Sequence, residues 1–215
     1  MKTVWIIGGI ALFLVAVVLS ITYVCYRMAF YADPKKRKEN DLLDLPNGKI
    51  YEQYWPQMTA WAKQTREMPH EKLQITSFDG LKLTAKYYEY EPGAPIELMF
   101  HGYRGTAERD LSGGVQRCFR LKRSALVVDQ RCSGTSEGCT ITFGIREHRD
   151  CLAWVEYMLK RFGPEVKIIL TGISMGASTV LMAAGQELPG NVVGVLADCG
   201  YSSAKKLSRE RIYFS

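Results

Sequence analysis

The chain opens on an unbroken apolar run and only later settles into alternating and grouped patterns. From Val4 through Tyr26 there is no charged side chain, and nearly every position is aliphatic, aromatic or small. At 1.5 Å per residue such a run is long enough to cross a hydrocarbon core of about 30 Å, so it predicts a transmembrane helix. A cleaved signal peptide has a shorter apolar core followed by a small-x-small site, whereas here Tyr23, Tyr26 and Arg27 follow like an interfacial anchor. A buried core helix would need protein on every side of so uniform a surface. The expected organisation is a membrane anchor over 1–28 and a linker over 29–49, where Asp33-Pro34 through Asn47-Gly48 is rich in charge, Pro and Asn. A folded domain over 50–203 and a basic tail over 204–215 follow.

Beyond the linker, Tyr51, Tyr54, Trp55, Met58 and Trp61 recur at helical spacing and predict an amphipathic helix over Ile50 to Arg66, lying on the domain or near the membrane surface. Leu73 to Phe78 and Leu81 to Tyr87 alternate apolar and polar residues around Asp79-Gly80, the pattern of a hairpin with a two-residue turn near a sheet edge. The character then changes to short apolar runs separated by helix-length segments: Ile96 to Phe100, Ala125 to Val128, Val166 to Leu170 and Val192 to Ala197. Fully buried parallel strands have this appearance. Gly144 to Phe162 carries Ile145, Leu152, Val155 and Leu159 at helical spacing and closes at Gly163-Pro164. Met175 to Glu187 predicts a shorter helix ending before Pro189. The order predicts an α/β fold, a mostly parallel sheet with helices on both faces.

Composition changes this picture little: 47% apolar and 23% charged residues are ordinary for a globular domain. The net charge of +6 is spread between one cluster at Lys35-Lys36-Arg37-Lys38, another at Lys205, Lys206, Arg209 and Arg211, and scattered positions. No basic face with interleaved aromatics and no recognition motif accompanies it, so nucleic acid is not an expected partner. Counting positives at both ends of the helix leaves the globular part on the cytoplasmic side of a single-pass anchor. The six cysteines show no zinc-site spacing, so no metal is expected. Cys132 and Cys139 would close a small loop in an oxidising compartment, but their irregular spacing reads more naturally as reduced, mostly buried thiols.

The sharpest motif is Gly172-Ile173-Ser174-Met175-Gly176, a G-x-S-x-G between the apolar strand ending at Leu170 and the small-residue helix Ala177-Ser178-Thr179-Val180. So tight a strand-to-helix turn presents the serine hydroxyl above the sheet near a helix N-terminus, where backbone N–H groups favour developing negative charge. Ser174 is therefore the candidate nucleophile. His101-Gly102-Tyr103-Arg104-Gly105 follows the strand Ile96 to Phe100. An acyl-transfer site needs two oxyanion donors, one from the residue after the nucleophile and one from the loop after an earlier strand, which nominates the backbone N–H groups of Met175 and Tyr103. His101 is read as a loop-orienting residue. In Asp129 to Gly138, at the carboxyl end of another strand, Asp129 and Arg131 are read as a structural pair that holds the loop.

Taken in order, the hairpin, H-G-Y-x-G, D-Q-R-x-x-G-x-S-x-G, G-I-S-M-G and Ala197-Asp198-Cys199-Gly200-Tyr201-Ser202-Ser203 resemble the membrane-anchored bacterial α/β-hydrolases of the serine-aminopeptidase-like group, over about Ala29 to Ser203. The resemblance implies a serine hydrolase in which Ser174 attacks a small-molecule or peptide ester, amide or thioester. The Tyr103 and Met175 amides would hold the oxyanion, and no cofactor is implied. A family triad runs Ser, then acid, then His. Here His70, His101 and His148 all precede Ser174. Against that pattern the fold is expected to be an incomplete α/β-hydrolase, truncated before its acid and histidine and impaired as a catalyst. Asp198 is expected to shape the pocket and His148, beside Glu147 and Asp150, to be a surface residue. The competing class is a non-catalytic, membrane-anchored scaffold that keeps the pocket alone.

Overall fold

A computed structural model describes residues 2–36 and 48–203. The basic tail and the Arg37-Lys38 half of the first basic cluster lie outside the described residues. Helix α1 runs from Lys2 to Ala29, and its stretch from Trp5 to Ala29 is long and apolar enough to cross a membrane. None of that span is covered by protein, with Trp5, Leu12 and Phe13 each more than 60% exposed, which removes the core-helix reading. Two aliphatic hydroxyls turn back on the helix, Ser20 Oγ donating to Ala16 O and Thr22 Oγ1 to Val18 O, both at 2.8 Å. Neither of these two hydroxyls is left to face hydrocarbon unpaired.

The helix expected over Ile50 to Arg66 forms as two, α2 (Lys49–Glu52) and α3 (Trp55–Glu67). The break falls just before Pro56, which lacks an N–H and is tolerated only in the first turn of a helix. The expected aromatic stripe divides accordingly: Tyr51 and Tyr54 are exposed, while α3 rests on the domain through Ala62 and Thr65.

Six strands follow: β1 (Glu71–Thr76), β2 (Lys82–Tyr88), β3 (Ile96–Phe100), β4 (Ser124–Asp129), β5 (Ile168–Ile173) and β6 (Val192–Asp198). They lie side by side in the order β1-β2-β4-β3-β5-β6, with β2 alone running against the rest. The hairpin forms with β1 at the edge, but five residues rather than two join its strands. Ser77 Oγ accepts from Leu81 N–H and donates to Asp79, and Asp79 is drawn out of the turn toward Arg131, so the ladder stops at Thr76 and Lys82.

Alternation within the central strands sends side chains to two cores. Leu98, Phe100, Leu126, Val128, Ile168 and Leu170 pack on one face beneath α5 (Glu147–Phe162) and α6 (Met175–Ala184). On the other, Met99, Ala125 and Val127 pack under α4 (Ala107–Arg120). Its buried Ala107, Leu111, Val115 and Cys118 trace one helical stripe, and Thr106 caps it by accepting from Arg109 N–H at 3.2 Å. Helix α3 sits outside α4, with Thr65 Oγ1 donating to Ser112 O and the Trp61 ring lying where a Gly113 side chain would be. Fully buried Glu97 interrupts the apolar run of β3. It is satisfied by Arg117, by Arg123 at 2.7 Å and by the Thr171 hydroxyl at 3.0 Å.

Helix α5 begins three residues later than its periodicity predicts. Glu147, buried, accepts from Thr142 N–H, Thr142 Oγ1 and Gly144 N–H, holding residues 142–144 as a loop, and Ile145 is exposed rather than part of the apolar stripe. Helix α6 ends at Ala184, with Gly185 as its cap. Glu147→Ala orphans three donors and should cost about 2 kcal/mol, read as a lowered midpoint in thermal unfolding.

Candidate active site

Strand β5 ends at Ile173 and α6 begins at Met175, so the whole turn between them is Ser174. Its backbone sits at φ 54°, ψ −112°, a conformation that costs a side-chain-bearing residue on the order of 1–3 kcal/mol and needs support from its surroundings. The support is visible. Ser174 N–H donates to Asp198 O on β6 at 2.8 Å, and Ser174 O accepts from Ser178 N–H at 3.2 Å as α6 starts.

Two glycines permit the close packing. A Cβ on Gly172 would lie 2.6 Å from Ala177 N and closer still to the Gly176 carbonyl; one on Gly176 would lie 2.7 Å from His101 O and closer to Phe100 O. Both are shorter than any real Cβ contact, so the turn exists only with glycine at these places. Ser174 itself is exposed. No hydrogen bond joins its hydroxyl to another side chain among the described residues.

The loop after β3 comes up beside it. A Cβ built on Gly102 would sit 3.6 Å from Ser174 Cβ, which places this loop against the serine. Asp110, in the first turn of α4, accepts from Gly102 N–H at 3.1 Å, and Gly105 N–H returns to Gly102 O at 3.1 Å. Tyr103 is the next residue along, and Met175, the other expected donor, is the first residue of α6, where N–H groups have no intrahelical acceptor. The structure thus brings Ser174, Gly102, Tyr103, Met175, Gly172 and Gly176 to one end of the sheet.

His101 is fully buried, and both ring nitrogens are engaged, Nδ1 with Gly102 O at 2.8 Å and Nε2 accepting from Gln130 N–H at 3.0 Å. It orients the loop, as expected. Gln130 completes the clamp by donating to His101 O at 2.6 Å and accepting from Thr179 Oγ1 on α6. His70 and His148 direct Nδ1 at Met68 O and Gly144 O. His148 is half-buried and its neighbours Glu147 and Asp150 are buried, which corrects the surface reading: α5 turns this side toward the loops, where both carboxylates have donors. Asp198 is exposed, and its backbone carbonyl is what meets the serine turn.

Asp129 and Arg131 hold their loop, but not by pairing with one another. Asp129 accepts from Ala107 N–H at 3.0 Å and Thr135 N–H at 3.3 Å, tying the loop to the start of α4. Arg131 reaches the opposite way and meets two carboxylates, Asp150 at 2.6 and 2.7 Å and Asp79 at 2.9 and 3.0 Å. The guanidinium holds the Asp79 carboxyl down to about 2, whereas burial pushes Asp150 up in spite of the same partner. Burial also raises the Cys118 thiol to about 12, so it is an inert core residue. Cys118, Cys132 and Cys151 are buried, while Cys25, Cys139 and Cys199 are exposed. Among the described residues no group of three or more His, Cys, Asp or Glu side chains could hold a metal ion.

Sequence reasoning did not find how α1 meets this site. Phe30 and Ala32, just past the helix, pair with the loop before α5: Ala32 N–H donates to Cys139 O at 2.9 Å and Ile141 N–H to Phe30 O at 2.8 Å. Tyr103 Oη donates to Ala29 O at 2.8 Å, and Arg104 donates to Met28 O at 2.8 Å and Tyr31 O at 3.2 Å. A row of aromatic contacts joins Tyr26, Phe30, Phe143 and Tyr103, with centroids 5.1–6.2 Å apart. The segment read as the start of a linker is thus docked on the loop after β3. The available signal was the aromatic density of Tyr26, Phe30 and Tyr31 beyond the apolar run.

No family model matches the sequence. Solved structures do resemble the fold. The esterase Pf2001 of Pyrococcus furiosus superposes with a TM-score of 0.61 at 23% identity, over 71% of this chain and 60% of that one. The α/β hydrolase GrgF from Penicillium sp. sh18 gives 0.54 at 20%, over 68% and 52%. DcsB, solved with its substrate analogue, gives 0.53 at 19%, over 67% and 51%. The chain spans 60% or less of the length of each of these three proteins. At such identities the likeness carries the fold, and the chain has the arrangement of an α/β-hydrolase.

Proposed function

We propose that this chain is a membrane-tethered serine hydrolase. Ser174 Oγ attacks the carbonyl carbon of a carboxylic ester, thioester or amide, the Oγ–C bond forms as the bond to the alcohol, thiol or amine breaks, and the serine proton leaves with that group. Water then cleaves the acyl-enzyme. The backbone N–H groups of Tyr103 and Met175 stabilise the oxyanion. The observation that carries this reading is an exposed serine at positive φ, alone between a buried strand and a helix, with Gly102 against it. Residues 1–28 are the anchor and 50–203 the hydrolase domain in this proposal. A signal peptide would be removed, and the contacts of Tyr103 and Arg104 with residues 28–31 favour an anchor that stays. The positive charge at Arg27, Lys35 and Lys36 supports a domain on the cytoplasmic side. Protease treatment of sealed vesicles should leave it protected from outside; digestion there would reverse the orientation.

Among the described residues no histidine is paired with Ser174, and a serine not paired with a base is a weak nucleophile. A positioned oxyanion hole alone still accelerates about a thousandfold over water. A fluorophosphonate probe should therefore label the 215-residue protein slowly. Added imidazole should raise the rate several-fold as a diffusible base, and Ser174→Ala should label under neither condition. Absence of Ser174-dependent labelling with and without imidazole defeats the enzyme reading. The engaged histidines favour a second reading, a non-catalytic acyl-binding protein. Retained binding of an acyl ligand by a label-negative chain, unchanged in Ser174→Ala, would support it.

A further inference from the structure

The apolar surface of α1 continues to its end, with Val24 and Met28 exposed and Tyr23 and Tyr26 in the positions of interfacial anchors. If α1 spans, the level of residues 26–31 is the boundary between hydrocarbon and headgroups. That level is where the oxyanion loop is fastened. Tyr103 and Arg104 bond directly to the carbonyls of residues 28, 29 and 31, and Phe30 and Ala32 are in register with residues 139–141. Gly102, where an added Cβ would lie 3.6 Å from Ser174 Cβ, is one residue from Tyr103, a step of about 3.8 Å along the chain. The mouth of the serine site therefore opens within on the order of 10 Å of the headgroup layer.

The groups around that mouth suit an amphiphile. Ala32, Tyr103, Phe143 and Tyr201 pack around buried Cys132, Ile141 and Met175, so a residue beyond the anchor shares an apolar cluster with both residues proposed as oxyanion donors. On the same loop, Ile145 is 60% exposed beside exposed Arg146, an apolar tip next to a cation. Arg146, 3.8 Å from Asp79 and 56% exposed by side chain, and Arg27 are cations suited to anionic headgroups beside that apolar tip.

We propose that the site takes its substrate from the membrane: an acyl amphiphile, its chain held in the leaflet at the C-terminal end of α1, delivers its carbonyl to Ser174 past Tyr103 and Phe143. The inference rests on the hydrolase reading for its chemistry and on the docked anchor for its geometry, and the two are tested separately. The full chain is reconstituted in vesicles of phosphatidylcholine with a minority of phosphatidylglycerol, doped with a phosphatidylcholine bearing a diazirine on its acyl chain. After illumination, cross-links are expected on residues 141–146 and on Tyr103 as well as on α1. Cross-links confined to residues 5–29 would overturn the proposal whatever the activity. Tyr103→Phe combined with Arg104→Ala, which loosens the fastening, should lower the cross-links on 141–146 severalfold, and an unchanged yield would also count against it.

In the same vesicles, with imidazole present, a fluorophosphonate carrying a long alkyl chain should label Ser174 about tenfold faster than a short water-soluble one, because partitioning raises its concentration at the site. Equal labelling leaves the serine hydrolase standing and removes the membrane substrate. Cross-links at the mouth without labelling by either probe remove the hydrolase and keep the membrane-facing site.

Discussion

Replacing Gly176 by alanine should unfold the serine turn at a cost of about 4 kcal/mol or more. The added methyl would lie 2.6 Å from Phe100 C and 2.7 Å from His101 O, with Phe100 O nearer still. All three are backbone atoms at the end of β3, held by ladders to β4 and β5 on either side, so none can swing away as a flexible side chain would. Either α6 lifts from the sheet or β3 loses its last pairs. Both separate Ser174 from the loop at 101–105. In a domain of this size the loss corresponds to a fall in thermal midpoint of roughly 8–16 °C, with Ser174-dependent labelling abolished. Gly194→Ala on β6 is the control: nothing lies within 4 Å of its Cβ position, so its midpoint should stay within about 2 °C of wild type. A Gly176→Ala protein as stable as Gly194→Ala would show that α6 does not press on β3.

That contrast explains why the serine turn was legible in the sequence. The constraint is local: a strand, a single residue at positive φ and a helix leave glycine at 172 and 176 as the residue that fits, so five consecutive letters carry the geometry. The loop at 101–105 was legible for a related reason, since its glycines answer to Ser174 on one side and Asp110 on the other. The partners of these loops were not. Asp110, Gln130 and the end of α1 are brought in by the packing of α4, β4 and the anchor, and nothing near residue 103 in the sequence announces residues 28–31.

The fold shows the same division. The central strands were readable because burial on both faces leaves almost nothing but apolar letters, and Glu97 slipped through such a run because its partners Arg117 and Arg123 come from distant positions. Helix α4 is weakly announced by its sequence: Gly113 and Gly114 in its middle weaken its propensity, although Ala107, Leu111, Val115 and Cys118 keep a helical stripe. Those glycines are there because the Trp61 ring and the Met99 side chain occupy the space of their Cβ atoms. Boundaries moved where a side chain competed with the backbone, as Glu147 does before α5 and Ser77 does in the hairpin.

Arg131→Met should cost about 3–5 kcal/mol, because it leaves Asp150 as a buried charge without its counter-ion. Arg131 is 2% exposed and Asp150 4% by side chain, so water replaces little of what is lost, while Asp79 at 28% can turn to solvent. The dependence on pH separates this cause from lost packing. In the wild type the Asp79 carboxyl is held at about 2, below its ordinary value of 3.8, so its contribution to stability is complete above about pH 4 and is lost as pH falls toward 2. Without Arg131 that acid loss should shrink. Asp150, which burial already pushes upward, would then have nothing to hold it charged. A carboxyl raised in the folded state stabilises below its unfolded pKa and loses that contribution as pH rises, so the variant should grow more stable between pH 7 and 5. Adding Asp150→Asn should recover roughly half of the loss at pH 7 and flatten this slope. Equal slopes in Arg131→Met with and without Asp150→Asn, followed by thermal unfolding across pH, would mean that the guanidinium acts through its packing alone.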